Sequence, residues 1–423
     1  MVAPLEYLHV IDITQGIAGP SCTQMLAWLG ASVVKVEPLG TGDPERRCLQ
    51  DVPDTDSLGF VQLNTNKRSI AVDLASPDGA RILRDLLAQA DLFVEDRGPA
   101  ALEGLGLAWD SVHTLNPRLI MGSLSCTNPG YRYQPAEAFD ALAQCMGGAA
   151  SNTGWNMGPN DAPLLSGSSL GDVNAGMHLL IGLLAALQQR SRTGDGCHVE
   201  QSMQNAVLNL GRVRMHDQAF LDAKGYLPEY PNYPYQKQGR AVPRVANAEG
   251  GGELGWCYRC KGWETDPNAY VYVVVQRAGK GFEEFCDALG LESWKTDPRY
   301  NTPEARFEHK RDIYAAVEKY TITRDKYEVT KALGAAGVPC GPVLSWAELA
   351  ADDELAQAGL IASVDQGGAR GTFKVVGCPI LFSSWKPEIG AAPALGADTA
   401  RVLSELGYTE AQVDELREKG VVG

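Results

Sequence analysis

Asp172 is the residue whose type and setting best suit chemistry. It lies in Leu164–Arg190 (LLSGSSLGDVNAGMHLLIGLLAALQQR), where small, polar and glycine residues give way to an apolar run. A loop entering a helix there places Asp172 near the helix N-terminus, where unpaired N–H groups and the helix dipole favour a carboxylate and keep it ionised. An ionised carboxylate can act as a nucleophile. The same position also suits a plain N-cap, worth about 1 kcal/mol of stability and no chemistry. The local sequence leaves both readings open. Met177–Leu187 is apolar on nearly every face, which predicts a helix buried all round, and its eleven residues are too few to span a bilayer.

Glu249-Gly250-Gly251-Gly252-Glu253 is the second unusual feature. Three adjacent glycines do not persist inside a helix or strand, so the run is either a surface turn or a lid whose backbone N–H groups approach a ligand closely. Asn66-Lys67-Arg68-Ser69 sets two cations before a strand, as a solvated edge or as an anchor for a phosphate or carboxylate. Cys257 and Cys260 form one C-x-x-C without the second pair a zinc ribbon needs, which favours packing. The other cysteines, among them Cys22, Cys126, Cys145 and Cys286, lack framework spacing and suit reduced thiols in a cytoplasm. The six histidines show no metal spacing, His178 reads as a core histidine, and neither a G-x-S-x-G elbow nor a P-loop occurs.

The elements that must position these residues alternate between strand and helix. Tyr7–Thr14 reads as a buried strand, Gly16–Gly19 as a turn, and a helix follows through Leu29 with Pro20 in its first turn. Val33–Glu37, Ser69–Leu74, Asp91–Glu95 and Leu119–Ser125 read as strands. Ser76 caps a helix to about Ala90, and Pro99–Leu105 and Trp109–Leu115 read as short helices. This alternation predicts a mostly parallel α/β sheet covered on both faces, with ligands at the strand C-terminal ends. Gly16–Gly19, Pro38–Asp43, Asp96–Gly98 and the loop after Ser125 should therefore share one crevice. The opening G-x-x-G is not the dinucleotide G-x-G-x-x-G, which argues against NAD. Val199–Lys224 reads as a strand and a long helix, Gly225–Arg244 as a crossing linker, Ala269–Val275 as a strand, and Gly281–Leu289, Glu304–Tyr320 and Glu410–Lys419 as helices.

With 423 residues and a net charge of −15, the chain is long enough for two or more domains and poorly suited to nucleic acid or an anionic membrane as its main partner. Its opening, MVAPLEYLHVIDIT, has no basic stretch before an apolar core, so no signal peptide is expected.

Several ordered stretches carry a family resemblance: Ala18–Met25, Asn66–Ile70, Gly171–Leu179, Gln204–Leu210, Lys261–Tyr270 and Gly337–Val343. Together they resemble the class III CoA-transferases (CaiB/BaiF type), and within them the formyl-CoA:oxalate CoA-transferases. The resemblance implies an interlocked, ring-like homodimer. Each subunit would have a Rossmann-like large domain made of both chain ends and a small α+β middle domain. The implied divisions are 1–200 for the first part of the large domain, 201–226 for a linker helix and crossing segment, 227–322 for the small domain, 323–340 for a second linker and 341–423 for the rest of the large domain. Asp172 matches the family nucleophile, which forms an anhydride and then an aspartyl-CoA thioester. Glu249, Gly250, Gly251 and Gly252 match its glycine loop, which covers the intermediates and excludes water. Coenzyme A is the implied substrate carrier, with no metal. Ile17, Ala18, Cys48, Gly59, Val72, Ala75, Asp96, Arg97, Gly98, Gly104, Glu137, Phe139 and Asp140 match substrate-binding positions.

Departures cluster in that set. Ile17 stands where formyl-CoA transferases carry a glutamine, Cys48, Gly59 and Phe139 replace bulkier pocket residues, and Glu249 replaces a glycine. A doubly charged oxalate should fit less well than a larger or partly apolar acid. Pro38, Ala75, Gly104 and Glu137 stand where those relatives offer basic residues to the cofactor. At about 1.5–3 kcal/mol per charged contact, nucleotide binding should weaken by several kcal/mol unless Arg97, Arg46, Arg47 or Lys67 compensates. Besides CoA transfer, the resemblance leaves room for another thioester carrier or a non-catalytic binding protein. An acyl-CoA racemase would need a histidine in the loop before Phe139, and none lies between His113 and His178.

Overall fold

The computed structural model describes residues 2–135, 137–155, 162–227, 241–248, 253–276 and 279–423. Their contacts divide the chain into two compact units, one of residues 1–149, 166–211 and 353–423, the other of 150–165 and 212–352.

The first unit is built on six parallel strands: β1 (His9–Asp12), β2 (Ser32–Pro38), β3 (Arg68–Val72), β4 (Leu92–Glu95), β5 (Ile120–Ser125) and β6 (His198–Ser202). Their spatial order is β3-β2-β1-β4-β5-β6, so the direction of winding reverses between β1 and β4. β2 and β4 read as nearly unbroken buried runs because helices cover both faces of the sheet. One face packs under the helices Ala18–Trp28, Asp172–Thr193 and Met203–Leu210, with Leu26, Leu179, Leu183 and Val207 in its core. The other packs under Pro77–Gln89 and the C-terminal helices Thr399–Glu405 and Glu410–Glu418 through Ile82, Leu86, Leu403 and Leu416. Ser76 caps Pro77–Gln89 by accepting the Gly79 N–H at 3.0 Å.

The C-terminal end of the chain is stitched to β3 and the turn after it. Val421 accepts the Asp73 N–H at 2.8 Å, Gly423 donates to Ala71 at 3.1 Å, and Asp398 donates to Ser69 at 2.9 Å. An antiparallel pair, Ile361–Asp365 with Thr372–Val376, lies in the same unit.

The helix carrying Asp172 is not buried all round. Gly122 of β5 leaves room for Leu179 and Leu183, where a Cβ would stand 3.3 and 3.0 Å from their methyl groups. The opposite side is open, and Ile181 is 64% exposed. An apolar composition did not distinguish the sheet-facing stripe from the outer one.

The second unit is α+β. Strands β7 (Leu254–Arg259), β8 (Tyr270–Val275) and β9 (Cys340–Pro342) form an antiparallel sheet in the order β7-β8-β9. Its core joins Tyr258, Val273, Phe282, Phe285, Ile313 and Leu333. β9 pairs with β8, and contacts assign the chain through Asp352 to this unit. Two expected long helices are interrupted, at Gly211 and at His309. All ten cysteines are free thiols, with Cys260 buried and Cys257 partly so. Among the described residues no helix is long and apolar enough to cross a membrane, and no group of three His, Cys, Asp or Glu is placed to hold a metal.

Candidate active site

Asp172 is the first residue of its helix and Gly171 is the N-cap, with no side-chain cap of its own. The plain-cap reading of Asp172 therefore fails. The cap comes from another helix: Asp140 Oδ1 accepts the N–H groups of Gly171 at 2.6 Å and Asp172 at 3.1 Å. Asp140 also accepts the Gln144 amide at 2.6 Å, and Gln144 bonds both the N–H (2.9 Å) and the carbonyl (3.1 Å) of Ser166. The loop before Asp172 is thus pinned at both ends. Its side chain has no capping duty and is left available.

One turn later, Gly176 lets two helix backbones meet. A Cβ there would lie 2.5 Å from the Ala18 carbonyl oxygen and 3.0 Å from the Cys22 nitrogen. The Asp172 helix consequently rests on the first turn of Ala18–Trp28, next to Ile17, whose carbonyl accepts the Ser21 N–H and hydroxyl.

Burial raises the Asp172 carboxyl to about 6, and the neighbouring charges of Asp140 and Glu45 push in the same direction. The sequence expectation, a helix terminus holding it in the ordinary carboxylate range, is corrected in degree: burial, reinforced by the two nearby carboxylates, outweighs the helix end. At neutral pH the group is still mostly ionised, and it is more basic than a solvated aspartate. Cys126, whose thiol burial raises, is also close enough to feel the Asp172 charge. Glu45 and Cys126 carry no motif, and nothing in the sequence marked them.

Beneath the site runs a buried ionic network. Asp12 accepts the Thr14 N–H and hydroxyl, the Thr23 hydroxyl and the Lys67 ammonium at 3.1 Å. Burial alone would raise Asp12, but Lys67, Lys35 and these hydroxyls hold it down at about 2. Lys35 pairs with Asp43 at 2.9 Å and donates to the Thr14 carbonyl. Asp43 in turn accepts the N–H groups of Gly16 and Glu45, which joins the Gly16–Gly19 turn to the short 3-10 turn Pro44–Arg47. Arg46 is buried in a two-pronged pair with Glu37 at 2.6 and 2.8 Å and reaches Asp56 at 2.7 Å. Lys67 and Arg46 are therefore structural, and neither serves as the solvated edge or the compensating phosphate contact expected of it. Burial without a partner would be costly for these charges, so their carboxylates come with them.

The ends of β1–β4 frame a cavity of about 570 Å³ lined by Ile13, Pro38, Leu39, Val72, Ala75 and Arg97 among others. The sequence-expected residues Val72, Ala75 and Arg97 are brought together there. Asp96 stands at the same end of the sheet, its carboxyl accepting the Gln15 N–H at 2.9 Å and raised by burial to about 7. Gly98 caps the helix Pro99–Leu105 at φ +79° and donates to Glu95. Gly104 faces outward with no atom within 4 Å of its Cβ position, although Ala101 and Leu105 of the same helix line the cavity. Cys48, Glu137 and Phe139 are exposed. Gly59 carries the Glu45 carboxylate against its backbone, so that a Cβ there would require that side chain to move. The Glu249–Gly252 loop and most of the 225–244 segment lie outside the described residues.

The profile of CoA-transferase family III matches residues 5–399. A formyl-CoA:oxalate CoA-transferase of Escherichia coli O139:H28 is 48% identical over 422 residues, covering all of both chains. A CaiB/BaiF family protein from Brucella suis shares the fold with a TM-score of 0.77 at 24% identity, over 96% of this chain and 100% of the other. A hypothetical protein from Mycobacterium tuberculosis aligns with a TM-score of 0.74 at 22% identity, over 95% and 99% of the two chains.

Proposed function

The chain belongs to CoA-transferase family III, and from that premise we propose that it moves CoA from an acyl-CoA thioester to a carboxylic acid with Asp172 as covalent nucleophile. The Asp172 carboxylate attacks the thioester carbonyl; the C–S bond breaks, giving an acyl–aspartyl anhydride and CoA thiolate. The thiolate attacks the aspartyl carbonyl and releases the donor acid as its carboxylate, leaving an aspartyl-CoA thioester. The acceptor carboxylate then attacks that thioester, and the thiolate freed in this step returns to the new acyl carbonyl, restoring Asp172. No net proton is exchanged. The observation that carries this reading is a carboxylate at a helix N-terminus whose cap is supplied by Asp140, leaving it ionised at neutral pH yet more basic than usual.

In the same reading, the cavity at Val72, Ala75 and Arg97 receives the CoA nucleotide. The enzyme works as a homodimer in the cytoplasm. The relative's name specifies formyl-CoA and oxalate; the pocket substitutions Ile17, Cys48, Gly59 and Phe139 favour a different acid here. A second reading, a thioester carrier without the CoA 3′-phosphate, is favoured by the cavity lining, in which Arg97 is the sole cation among the described residues.

The test is to incubate the enzyme with acyl-CoAs, quench with hydroxylamine or borohydride, and map the adduct by mass spectrometry. Modification at Asp172, and loss of transfer in Asp172→Ala, is the expected result. No adduct with any thioester together with unchanged Asp172→Ala activity would overturn the assignment.

A further inference from the structure

Resting on the reading of Asp172 as nucleophile, we propose that Glu45 determines acceptor specificity, selecting a monocarboxylic acid whose tail carries a hydrogen-bond donor over an acid with a second carboxylate. The Glu45 backbone is fixed at three points. Its N–H donates to Asp43 at 3.0 Å, its carbonyl accepts the Ser57 hydroxyl at 2.5 Å, and the Cys48 N–H donates to the same carbonyl at 3.2 Å. Its side chain then crosses to Gly59, where Oε1 occupies the space a Cβ would take and Ser57 Oγ stands 3.6 Å from that position. Any side chain at 59 would displace the carboxylate, so Gly59 and Glu45 work as a pair. The volume that residue 59 gives up is filled by a negative charge, and Glu45 shares Asp43 as acceptor with Gly16, at the start of the turn that leads to Ala18, on which the Asp172 helix rests.

That charge is not answered from within the protein. Among the described residues the Glu45 carboxylate has no ion pair and accepts no hydrogen bond. The cations of this region are committed elsewhere: Lys35 to Asp43, Lys67 to Asp12, and Arg46 to Glu37 and Asp56. Arg47 is exposed and donates to the Gly40 carbonyl, while Arg97 lines the cavity and donates to Ile13. An acid tail lying between Asp172 and the Glu45–Gly59 pair meets a half-buried acceptor with unused lone pairs. A hydroxyl or ammonium group satisfies it, whereas a second carboxylate is repelled where water cannot screen it fully.

The experiment compares acids matched in length, glycolate against oxalate and 4-hydroxybutyrate against succinate, with one acyl-CoA donor. Wild type should prefer the hydroxy acid at least tenfold in kcat/KM in whichever pair transfers faster. Glu45→Gln should reduce that ratio at least tenfold. Gly59→Ala, which leaves Glu45 in the chain but pushes its carboxylate away, should shift the ratio in the same direction. A wild-type preference for the dicarboxylate overturns the proposal, as does a ratio unmoved in both variants. Trapping of the Asp172 adduct with donor alone separates the two layers: an adduct with an unmoved ratio removes only the role of Glu45, and transfer that proceeds without an adduct and persists in Asp172→Ala removes the nucleophile as well.

Discussion

Replacing Asp172 by Asn should stabilise the folded protein at neutral pH while abolishing transfer. Asp172 titrates at about 6 in the folded chain against 3.8 for an ordinary aspartate, a difference of about 3 kcal/mol at 1.36 kcal/mol per pH unit. The carboxyl is partly open to water, and screening reduces this; the helix terminus returns up to about 1 kcal/mol in favour of the charge. A net cost of about 1–2 kcal/mol for holding Asp172 ionised remains. The sign follows from proton counts. Between roughly pH 4 and 6 the folded state keeps a proton that the unfolded chain has released, so this contribution is present at low pH and lost as pH rises through about 6. Asn has no such loss. Urea unfolding of wild type and Asp172→Asn should show little difference at about pH 4 and a gain for Asn of about 1–2 kcal/mol at about pH 8. An Asn variant that is less stable at pH 8, or a difference that does not change with pH, would show that burial and the charges of Asp140 and Glu45 do not strain the nucleophile and would refute the electrostatic account.

Two further outcomes are expected. Asp12→Asn leaves Lys67 and Lys35 buried beside a neutral group and should cost about 3–5 kcal/mol in urea unfolding, with a loss below about 1 kcal/mol counting against the network as the support of the Gly16–Gly19 turn. If the 3′-phosphate meets no cation in the cavity, 3′-dephospho-CoA thioesters should react within about threefold of their CoA counterparts, because a missing charged contact worth about 1.5–3 kcal/mol would otherwise appear as at least a tenfold difference; a tenfold preference for CoA in kcat/KM would discard the alternative-carrier reading.

The large unit was legible in the sequence where punctuation is local. Pro99–Leu105 and Trp109–Leu115 have the bounds that their proline and neighbouring loop residues imply, and Ser76 caps the helix it was expected to cap. The expected bounds of the apolar strands lie within two residues of the observed ones. What escaped depends on contacts between distant segments. Lys67 and Arg46 look like surface cations until Asp12 and Glu37 are folded over them, and no periodicity encodes that pairing. The emptiness at Gly59 is visible in the sequence, but its occupation by Glu45 is not, because the two are joined only through the turn at Ser57. At Asp172 the sequence offered a cap or a nucleophile but not the carboxylate that caps the helix: residues 140 and 172 are brought together by tertiary packing that no capping pattern contains.

The stitching of the C-terminal segment onto β3 also sets an order of events during synthesis. Residues 353–423 supply Leu403 and Leu416 to one side of the sheet and close the edge at Ala71–Asp73. Until they leave the ribosome, that side of β1–β4 has only part of its cover, while the second unit can already bury its own core. At about 5–20 residues per second, the interval between completing the second unit and releasing the last helix lasts several seconds or more. During it, the apolar face that holds Ile70, Val72 and Phe93 has the helix Pro77–Gln89 but not the C-terminal helices over it. The large unit, which holds Asp172, is thus the later of the two to mature and the one most exposed to aggregation or chaperone capture in a newly made chain.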